Sequence, residues 1–319
     1  MKKVVFFNEL PGDAKKWLES KKYSVKILDR KILKDMKRLL PMLKNADAII
    51  PLLVDKIDKE LIDSMQQCRV IANYAAGYDN IDVEYASRKN IIVTNTPNIL
   101  TDATADIAIG LLLACARKFI QSDRFMRSSK FKGWMPDLML GHDLRNKIFG
   151  IVGAGRIGKA TAQRAKAFGC KIIYFNRSPK PEIEKELNAK RVSLNYLMKN
   201  ADFISLHIPS SVNTYHLIDK EKLNHMKPDA ILINTARGEV VDEKYLIKML
   251  KKNKIFAAGF DVYEGEPKVN PELLKLNNVV LLPHIGSATL ETRSEMAMLC
   301  AKNVHSILQN KNPLTPVNF

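Results

Sequence analysis

The fold is decided by the stretch Phe149-Gly-Ile-Val-Gly-Ala-Gly-Arg-Ile-Gly-Lys159. An apolar run leads into three glycines, and the residues behind them predict a helix over 159–169. Strand, tight turn and helix in this order form the context in which G-x-G-x-x-G binds a dinucleotide. Gly153 would let the chain turn, Gly155 would let the backbone approach a pyrophosphate, and Gly158 would let the helix pack closely on the strand. The cofactor-binding residues predicted here are Gly153, Gly155, Arg156, Ile157 and Gly158.

The second strand of this unit is predicted over 171–175 and ends without a carboxylate. An NAD site places Asp or Glu about 20 residues past the fingerprint, where it accepts hydrogen bonds from the ribose hydroxyls. Here the strand is followed by Asn176, Arg177 and Ser178. Arg177 could pair with a 2′-phosphate while its two neighbours add hydrogen bonds, or it could be a solvated loop cation. We therefore expect NADPH to be the preferred cofactor, with NADH also possible.

Length and composition indicate a globular chain of two domains. The 319 residues are too many for one small core, and 46% of them are hydrophobic. The net charge of +17 comes from lysines spread over many predicted helices, without an arginine-rich block or a nucleic-acid-binding motif. We attribute this charge to a solvated surface whose field would favour small anions, and we expect no nucleic-acid partner.

The cysteines and the apolar runs bear on the cellular compartment. Cys68, Cys115, Cys170 and Cys300 lie far apart and form no C-x-x-C pair, so neither a disulfide framework nor a metal site is predicted. Free thiols are the rule in a reducing compartment. No apolar run has the length of a signal-peptide core or of a membrane-spanning helix. We therefore expect a cytoplasmic protein with no membrane partner.

Short apolar runs alternate with helix-like stretches through the first hundred residues, which indicates a parallel sheet covered by helices. No glycine fingerprint accompanies this repeat, and we expect it to form a smaller, flavodoxin-like domain. Its strands are predicted over 4–7, 25–28, 48–53, 70–73 and 91–94. Its helices are predicted over 12–20, 31–43, 57–66 and 82–89.

The same alternation resumes after the fingerprint and predicts a Rossmann domain. Its strands are predicted over 148–152, 171–175, 203–208, 230–234, 256–262 and 278–282. Long helices are predicted over 102–120 and 289–309, and an irregular excursion is predicted over 122–145.

The predicted fold class is α/β, with two doubly wound parallel-sheet domains. The substrate domain comprises 1–100 and 289–319, and the dinucleotide-binding Rossmann domain comprises 101–288. The chain would therefore cross twice between the domains, and we expect the substrate in the cleft between them.

Reactive side chains follow three of the predicted strands, at the edge of an α/β sheet where ligands bind. Arg237 follows the strand over 230–234, where its guanidinium could grip a carboxylate and polarise a carbonyl, or form a loop salt bridge. His284 follows a second strand, and Asp261-Val-Tyr-Glu-Gly-Glu-Pro267 follows a third. A carboxylate bonded to the imidazole would orient the ring and favour its charged form, which suits a proton donor in carbonyl reduction.

Four motifs in this order resemble the D-isomer-specific 2-hydroxyacid dehydrogenases. They are Gly153-Ala-Gly-Arg-Ile-Gly158, Asn234-Thr-Ala-Arg-Gly238, Asp261-Val-Tyr-Glu-Gly-Glu-Pro267 and Pro283-His-Ile-Gly-Ser287. The resemblance runs from about residue 45 to the C-terminus. It is closest to the glyoxylate/hydroxypyruvate reductase branch, because two segments typical of that branch are also present in this chain, over 75–82 and 100–106.

This resemblance implies roles for individual residues. The catalytic residues would be Arg237, Glu266 and His284, whereas Glu264 does not match the motif. The substrate-binding groups would be Leu53, the backbone N–H groups of Ala76 and Gly77, and the side chains of Arg237 and His284. The cofactor-binding residues outside the fingerprint and the 176–178 segment would be Thr104, Ile208, Pro209, Thr235, Ala236, Asp261 and Gly286.

The resemblance also implies an activity and an assembly. Such an enzyme would reduce a small 2-oxo acid, glyoxylate or hydroxypyruvate, to a D-2-hydroxy acid, with hydride from the nicotinamide and a proton from His284. It would form a homodimer through its nucleotide domains. The chain departs from the branch at two positions: Ala154 stands where a bulkier aliphatic residue is common, and Leu138 lies where relatives often carry a second tryptophan after the one matching Trp134. If that aromatic residue reaches across the dimer to shape the pocket, its absence here leaves the substrate open. The alternatives are a bulkier 2-oxo acid on the same fold and a non-enzymatic dinucleotide-sensing protein.

Overall fold

The computed structural model describes residues 1–318, which form two compact units. Unit 1 comprises Met1–Leu100 and Ser287–Phe319, and unit 2 comprises Thr101–Gly286. The predicted domains differ from these units only in residues 287 and 288, which belong to unit 1. Each unit contains one sheet of parallel strands.

Unit 1 is a five-stranded sheet with helices on both faces. Its strands are Lys3–Phe6 (β1), Ser24–Ile27 (β2), Ala48–Ile50 (β3), Val70–Ala72 (β4) and Ile92–Thr94 (β5). Its helices are Ala14–Ser20 (α1), Met36–Leu43 (α2), Lys59–Ser64 (α3), Val83–Arg88 (α4) and the C-terminal helix Leu290–Leu308. The strand order β2-β1-β3-β4-β5 is the flavodoxin-like order.

Successive side chains of β1 point to opposite faces of the sheet and pack into the two cores of unit 1, one on each face. Val4 packs on the side of α1 and the C-terminal helix, and Val5 packs on the side of α2, α3 and α4. Both side chains are fully buried. Because helices cover both faces, the strands consist of continuous apolar runs, which is why the sequence pattern locates them.

Unit 2 is a seven-stranded parallel sheet, also covered on both faces. Its strands are Ile148–Val152 (β6), Lys171–Phe175 (β7), Lys190–Arg191 (β8), Phe203–Leu206 (β9), Ile231–Asn234 (β10), Ala257–Phe260 (β11) and Val279–Leu281 (β12). Its helices are Thr101–Ala116 (α5), Phe119–Arg127 (α6), Arg156–Ala167 (α7), Pro181–Leu187 (α8), Leu194–Asn200 (α9), Lys220–Asn224 (α10), Glu243–Lys251 (α11) and Pro271–Leu274 (α12).

The strand order of unit 2 is β12-β11-β10-β9-β6-β7-β8. The strand order reverses between β6 and β9, and ligands of doubly wound sheets bind beyond the carboxyl ends of the strands at such a point. The prediction of an α/β fold with two doubly wound parallel sheets is therefore confirmed.

Helix α7 begins three residues before the predicted start at 159. Gly155 is its N-cap, and Gly158 lies in its first turn. A Cβ on Gly158 would come within 2.1 Å of the Gly153 carbonyl oxygen, so only glycine lets the helix start so close to the turn. The helix ends at Ala167 rather than at Gly169, because Gly169 adopts a left-handed backbone with a φ of 81°.

The predicted helix over 102–120 is two helices. Lys118 adopts a left-handed backbone with a φ of 53°, which separates α5 from α6. Because α6 extends to Arg127, the prediction of an irregular segment over 122–145 is wrong for its first six residues. The chain has no helix or strand over 128–147.

Other elements are also shorter or more divided than predicted. The predicted helix over 31–43 is a 3₁₀ turn, Ile32–Lys34, followed by α2, because Asp35 is extended and its carboxylate caps α2. Four strands end earlier than predicted. The strand predicted over 48–53 ends three residues earlier, at Ile50; those predicted over 203–208 and 256–262 end two residues earlier, at Leu206 and Phe260; and the one predicted over 278–282 ends one residue earlier, at Leu281. β8 was not predicted, since its two residues are a lysine and an arginine, both exposed.

All four cysteines are buried and unpaired. No group of three or more His, Cys, Asp or Glu side chains among residues 1–318 could hold a metal ion. None of the helices that the structure describes combines the length and the hydropathy needed to cross a bilayer.

Candidate active site

The fingerprint turn connects β6 to α7 at the point where the strand order reverses. Gly153 has a φ of 98°, and a Cβ there would lie 2.6 Å from the His207 carbonyl oxygen. Nothing lies within 4 Å of the position that a Cβ on Gly155 would take. The turn is therefore closed on the β9 side and open beside Gly155. There the first N–H groups of α7 have no partner within the helix and favour an anion.

Ile208 and Pro209 follow β9 beside this turn. Ile208 Cγ2 would lie 2.6 Å from a Cβ on Gly153, so the two segments are in direct contact. The preceding His207 is half-buried, and its ring bonds the Ser205 hydroxyl at 2.8 Å. Burial lowers the pKa of His207 to about 3, so this imidazole is neutral. The predicted adenosine-side residues thus border the fingerprint.

Asn176 joins the fingerprint turn to the tip of β7. Its Oδ1 accepts from the Ala154 N–H at 3.2 Å, and its Nδ2 donates to the Ser178 carbonyl oxygen at 3.0 Å. The Asn176 amide is therefore engaged within the chain, whereas the Arg177 side chain is exposed at the tip. No carboxylate follows β7 before Glu182.

His284 and Glu266 form an imidazole–carboxylate pair. His284 Nδ1 lies 2.8 Å from Glu266 Oε2, and each side chain is 26% exposed. The other carboxylate oxygen accepts from the Tyr263 N–H at 2.9 Å. Burial alone would raise the pKa of Glu266, but the hydrogen bond and charge of His284, with smaller effects from Tyr263 and Arg237, hold it below its ordinary value. Glu266 is therefore an ionised partner for His284 at neutral pH.

Glu264 belongs to a different pair, although it is only two residues away. Its Oε1 lies 3.0 Å from His216 Nε2, and the His216 ring stacks on Tyr215. Glu264 and Glu266 thus belong to two separate imidazole–carboxylate pairs, and only the one formed by Glu266 contains His284.

Asp261 fixes the loop that carries His284. Its two carboxylate oxygens accept from the N–H groups of Ile285 and Gly286, each at 2.7 Å. The Gly286 carbonyl oxygen in turn accepts from the Thr104 hydroxyl at 3.2 Å. Burial raises the pKa of Asp261, against the opposing effect of these hydrogen bonds and of the His284 charge. His284 has a left-handed backbone with a φ of 55°, and the Asp261 carboxylate stabilises the residues that follow it.

Arg237 follows β10 in a turn shaped by Asn234. The Asn234 side chain accepts from the Ala236 N–H at 3.0 Å and donates to the Arg237 carbonyl oxygen at 2.8 Å. Gly238 lies against the segment that carries Glu266, because a Cβ on Gly238 would come within 1.9 Å of the Tyr263 carbonyl carbon. This contact brings the Arg237 turn next to the His284–Glu266 loops, consistent with the effect of the Arg237 charge on Glu266.

Thr235 contributes a buried hydroxyl to the same turn. Among the described residues its Oγ1 has no hydrogen-bond partner, although the atom is inaccessible to solvent. A buried hydroxyl without a partner costs free energy unless a ligand bonds it. Three features fit a dinucleotide that lies across the carboxyl ends of the strands. They are the open approach beside Gly155, the twelve-residue helix α7 and this buried hydroxyl without a partner.

In unit 1, the loop containing Ala76 and Gly77 has its carbonyl groups held from behind. The Asn95 Nδ2 donates to the Ala76 carbonyl oxygen at 2.7 Å, and the Asn73 Nδ2 donates to the Gly77 carbonyl oxygen at 2.8 Å. The Ala75 carbonyl oxygen accepts from the Thr96 N–H at 2.8 Å.

A trans peptide directs its N–H opposite to its carbonyl, so these bonds also fix the N–H groups of Ala76 and Gly77. Neither N–H donates to an acceptor within residues 1–318. Two oriented, unpaired N–H groups in succession are able to bind an anion. Leu53 is half-buried in the turn after β3 of the same unit.

Sequence reasoning missed Asn73 and Asn95. The two asparagines end or follow predicted strands, so the rule that ligand-side residues follow strands could have identified them.

Comparisons with known proteins agree with this architecture. Residues 109–286 match the family model described as the NAD-binding domain of the D-isomer-specific 2-hydroxyacid dehydrogenases. A glyoxylate reductase of Thermococcus litoralis is 49% identical, with coverage of 99% of this chain and 96% of the relative. A crystal structure of a Thermus thermophilus protein is 40% identical with a TM-score of 0.93, and covers 99% of this chain and 100% of its own.

A third relative was solved with a bound cofactor. It is an NADPH-dependent glyoxylate/hydroxypyruvate reductase of Sinorhizobium meliloti, crystallised with NADP and malonate. It is 31% identical with a TM-score of 0.88, and covers 99% of this chain and 96% of its own. The full-length similarity and the matching family model confirm the resemblance found in the motifs. This chain therefore belongs to the D-isomer-specific 2-hydroxyacid dehydrogenases and is an oxidoreductase that uses a nicotinamide cofactor.

Proposed function

We propose that this chain reduces glyoxylate and hydroxypyruvate with NADPH, with unit 2 as the dinucleotide-binding domain and unit 1 as the substrate domain. The observation that carries the proposal is the 2.8 Å contact between His284 Nδ1 and Glu266 Oε2, next to the turn that presents Arg237. The names of the Thermococcus and Sinorhizobium relatives support the same substrates.

In this proposal the side chains bind the substrate and move a proton. A bound nicotinamide would supply hydride to the carbonyl carbon of the 2-oxo acid. His284 donates a proton to the carbonyl oxygen from Nε2, because Nδ1 is engaged by Glu266. Glu266 keeps the ring oriented and balances its positive charge. Arg237 grips the substrate and stabilises the negative charge that develops on the carbonyl oxygen.

The loop of Ala76 and Gly77 is proposed to bind the substrate carboxylate. Its two oriented N–H groups have no acceptor within residues 1–318, and a carboxylate would satisfy both. Leu53 is proposed to line the pocket beside it.

Asn95→Leu is expected to raise the KM for hydroxypyruvate by about 10-fold while changing kcat by less than about 3-fold. Leucine has a similar shape but cannot donate to the Ala76 carbonyl, so the Ala76–Gly77 peptide loses its fixed direction. Steady-state kinetics at saturating NADPH would measure both parameters. Asn318→Leu is the matched control, because Asn318 bonds the Val93 N–H in the preceding part of β5. Equal changes in KM for the two variants would contradict the role of Asn95.

A preference for NADPH is proposed from the tip of β7, where Arg177 is exposed and no carboxylate is present before Glu182. We expect kcat/KM to be at least about 10-fold higher for NADPH than for NADH. Arg177→Gln should remove most of this difference by lowering efficiency with NADPH alone. Initial rates with each cofactor test this, and a clear preference of the unaltered protein for NADH would contradict it.

A homodimer is proposed through unit 2, because apolar side chains are exposed over α6 and the irregular segment behind it. Trp134 is 82% exposed, far more than a large aromatic residue normally is in a monomer. Light scattering should give about twice the 36.1 kDa of one chain, and Trp134→Ser should weaken the assembly. A single-chain mass at all concentrations would refute the proposal. The exposed apolar residues are Phe119, Ile120, Met126, Phe131, Trp134, Met135, Leu138 and Leu140.

A cytoplasmic location is proposed from the four buried, unpaired thiols. Such thiols are typical of reducing compartments. Fractionation of cells of the source organism would test the location.

The substrate proposal is tested by following NADPH oxidation with a panel of 2-oxo acids. Glyoxylate and hydroxypyruvate should give the highest kcat/KM. Higher efficiency with a phenyl- or branched-chain 2-oxo acid would favour the alternative of a bulkier substrate. Dinucleotide binding without turnover of any 2-oxo acid would favour a sensing protein instead.

A further inference from the structure

Arg191 contacts the tip of β7 from the neighbouring strand. In the register of the sheet, Tyr174 of β7 pairs with Arg191 of β8. The Arg191 guanidinium then reaches past the end of β7 to two successive carbonyl groups. Its Nη2 donates to the Arg177 carbonyl oxygen at 2.8 Å, and its Nε and Nη2 lie 3.3 and 3.2 Å from the Asn176 carbonyl oxygen.

Two carbonyl groups that converge on one guanidinium must point to the same side of the chain. Their peptide bonds are trans, because the one cis bond among the described residues precedes Pro267. The N–H groups of Arg177 and Ser178 therefore point to the opposite side. Neither N–H donates to a protein acceptor within residues 1–318. Successive N–H groups turned outward in this way form an anion-binding concavity.

The far end of the same loop is also fixed. The Tyr174 hydroxyl accepts from the Lys180 N–H at 2.8 Å and donates to Glu184 at 2.6 Å. The loop is thus held at both ends.

We propose that Arg191 is a positioning residue for the 2′-phosphate of NADPH. It holds the N–H groups of Arg177 and Ser178 so that they donate to the phosphate, while the Arg177 side chain supplies the ion pair. The positive charge of Arg191 lies behind the same peptides and adds to the field at the phosphate. This inference rests on the proposed preference for NADPH and assigns the cofactor specificity to backbone geometry as well as to Arg177.

Calorimetric binding of 2′,5′-ADP and 5′-AMP tests the inference without turnover, because the two ligands differ in the 2′-phosphate. Arg191→Gln should weaken 2′,5′-ADP by about 10-fold and change 5′-AMP by less than about 2-fold. Arg191→Lys should also weaken 2′,5′-ADP, since a lysine keeps the charge but cannot hold two carbonyl groups in the same way. Lys190→Gln is the matched control, because it removes the same charge from the neighbouring residue of β8 and should leave both affinities unchanged.

The outcomes separate this inference from the proposed function. If the unaltered protein binds both ligands equally, the NADPH preference itself is wrong, and the inference is overturned with it. If the unaltered protein prefers 2′,5′-ADP and Arg191→Gln keeps the same ratio of affinities, only the role of Arg191 is overturned. An equal loss for both ligands in Arg191→Gln would also overturn it, because the residue would then support the loop without selecting the phosphate.

Discussion

His284→Asn is expected to lower kcat for 2-oxo acid reduction by at least about 100-fold while leaving NADPH affinity nearly unchanged. Asparagine keeps a polar side chain but cannot deliver a proton to the carbonyl oxygen. The pairing of Nδ1 with Glu266 leaves Nε2 as the nitrogen that can do so. The loss should therefore appear in the chemical step rather than in cofactor binding.

Two measurements separate these effects for His284. Steady-state rates give kcat, and the fluorescence of bound NADPH gives the affinity for the cofactor. His216→Asn is the matched control, since His216 also pairs with a glutamate in unit 2, at 3.0 Å from Glu264. It should retain near-normal kcat. A His284→Asn variant within about 3-fold of the unaltered rate would remove His284 from the proposed chemistry.

Arg237→Gln is expected to lower kcat/KM by about 1,000-fold or more, with contributions from both a higher KM and a lower kcat. The guanidinium is proposed to bind the substrate in the ground state and to stabilise the developing charge on the carbonyl oxygen. It also lies close enough to Glu266 for its charge to lower the pKa of that carboxyl. Loss of one group should thus affect binding and chemistry together.

Arg237→Lys distinguishes charge from geometry in this role. A lysine retains the positive charge but not the planar fork that grips a carboxylate. We expect it to recover part of kcat and little of KM. The kinetic parameters of the two variants, measured with hydroxypyruvate at saturating NADPH, provide the comparison. Normal KM and kcat in Arg237→Gln would contradict the proposed clamp.

The alternation of apolar runs and helical stretches predicts both sheets because both faces of each sheet are covered. β1 illustrates this, since Val4 and Val5 point to opposite cores and are both fully buried. The same pattern does not predict β8, because its two exposed residues pair at the edge of the sheet without an apolar run. It does not predict the break between α5 and α6 either, since a lysine with positive φ at position 118 leaves no sequence signal.

The residues of the candidate site were predictable to the extent that they follow strands or match a motif. The motif distinguished Glu266 from Glu264, and the two glutamates pair with different histidines in the structure. The contacts that hold the loops around the candidate site in place were not predictable. Asn95 reaches Ala76 from 19 residues away, and Arg191 reaches Arg177 from 14 residues away. Such contacts depend on the path of each loop, which local sequence patterns do not specify.

The identity of the reaction product tests the central claim most directly. Purified protein would be incubated with NADPH and hydroxypyruvate, and the product would be separated by chiral chromatography. The account predicts one glycerate formed for each NADPH consumed, all of it the D-isomer. Formation of L-glycerate, or consumption of NADPH without glycerate, would contradict it.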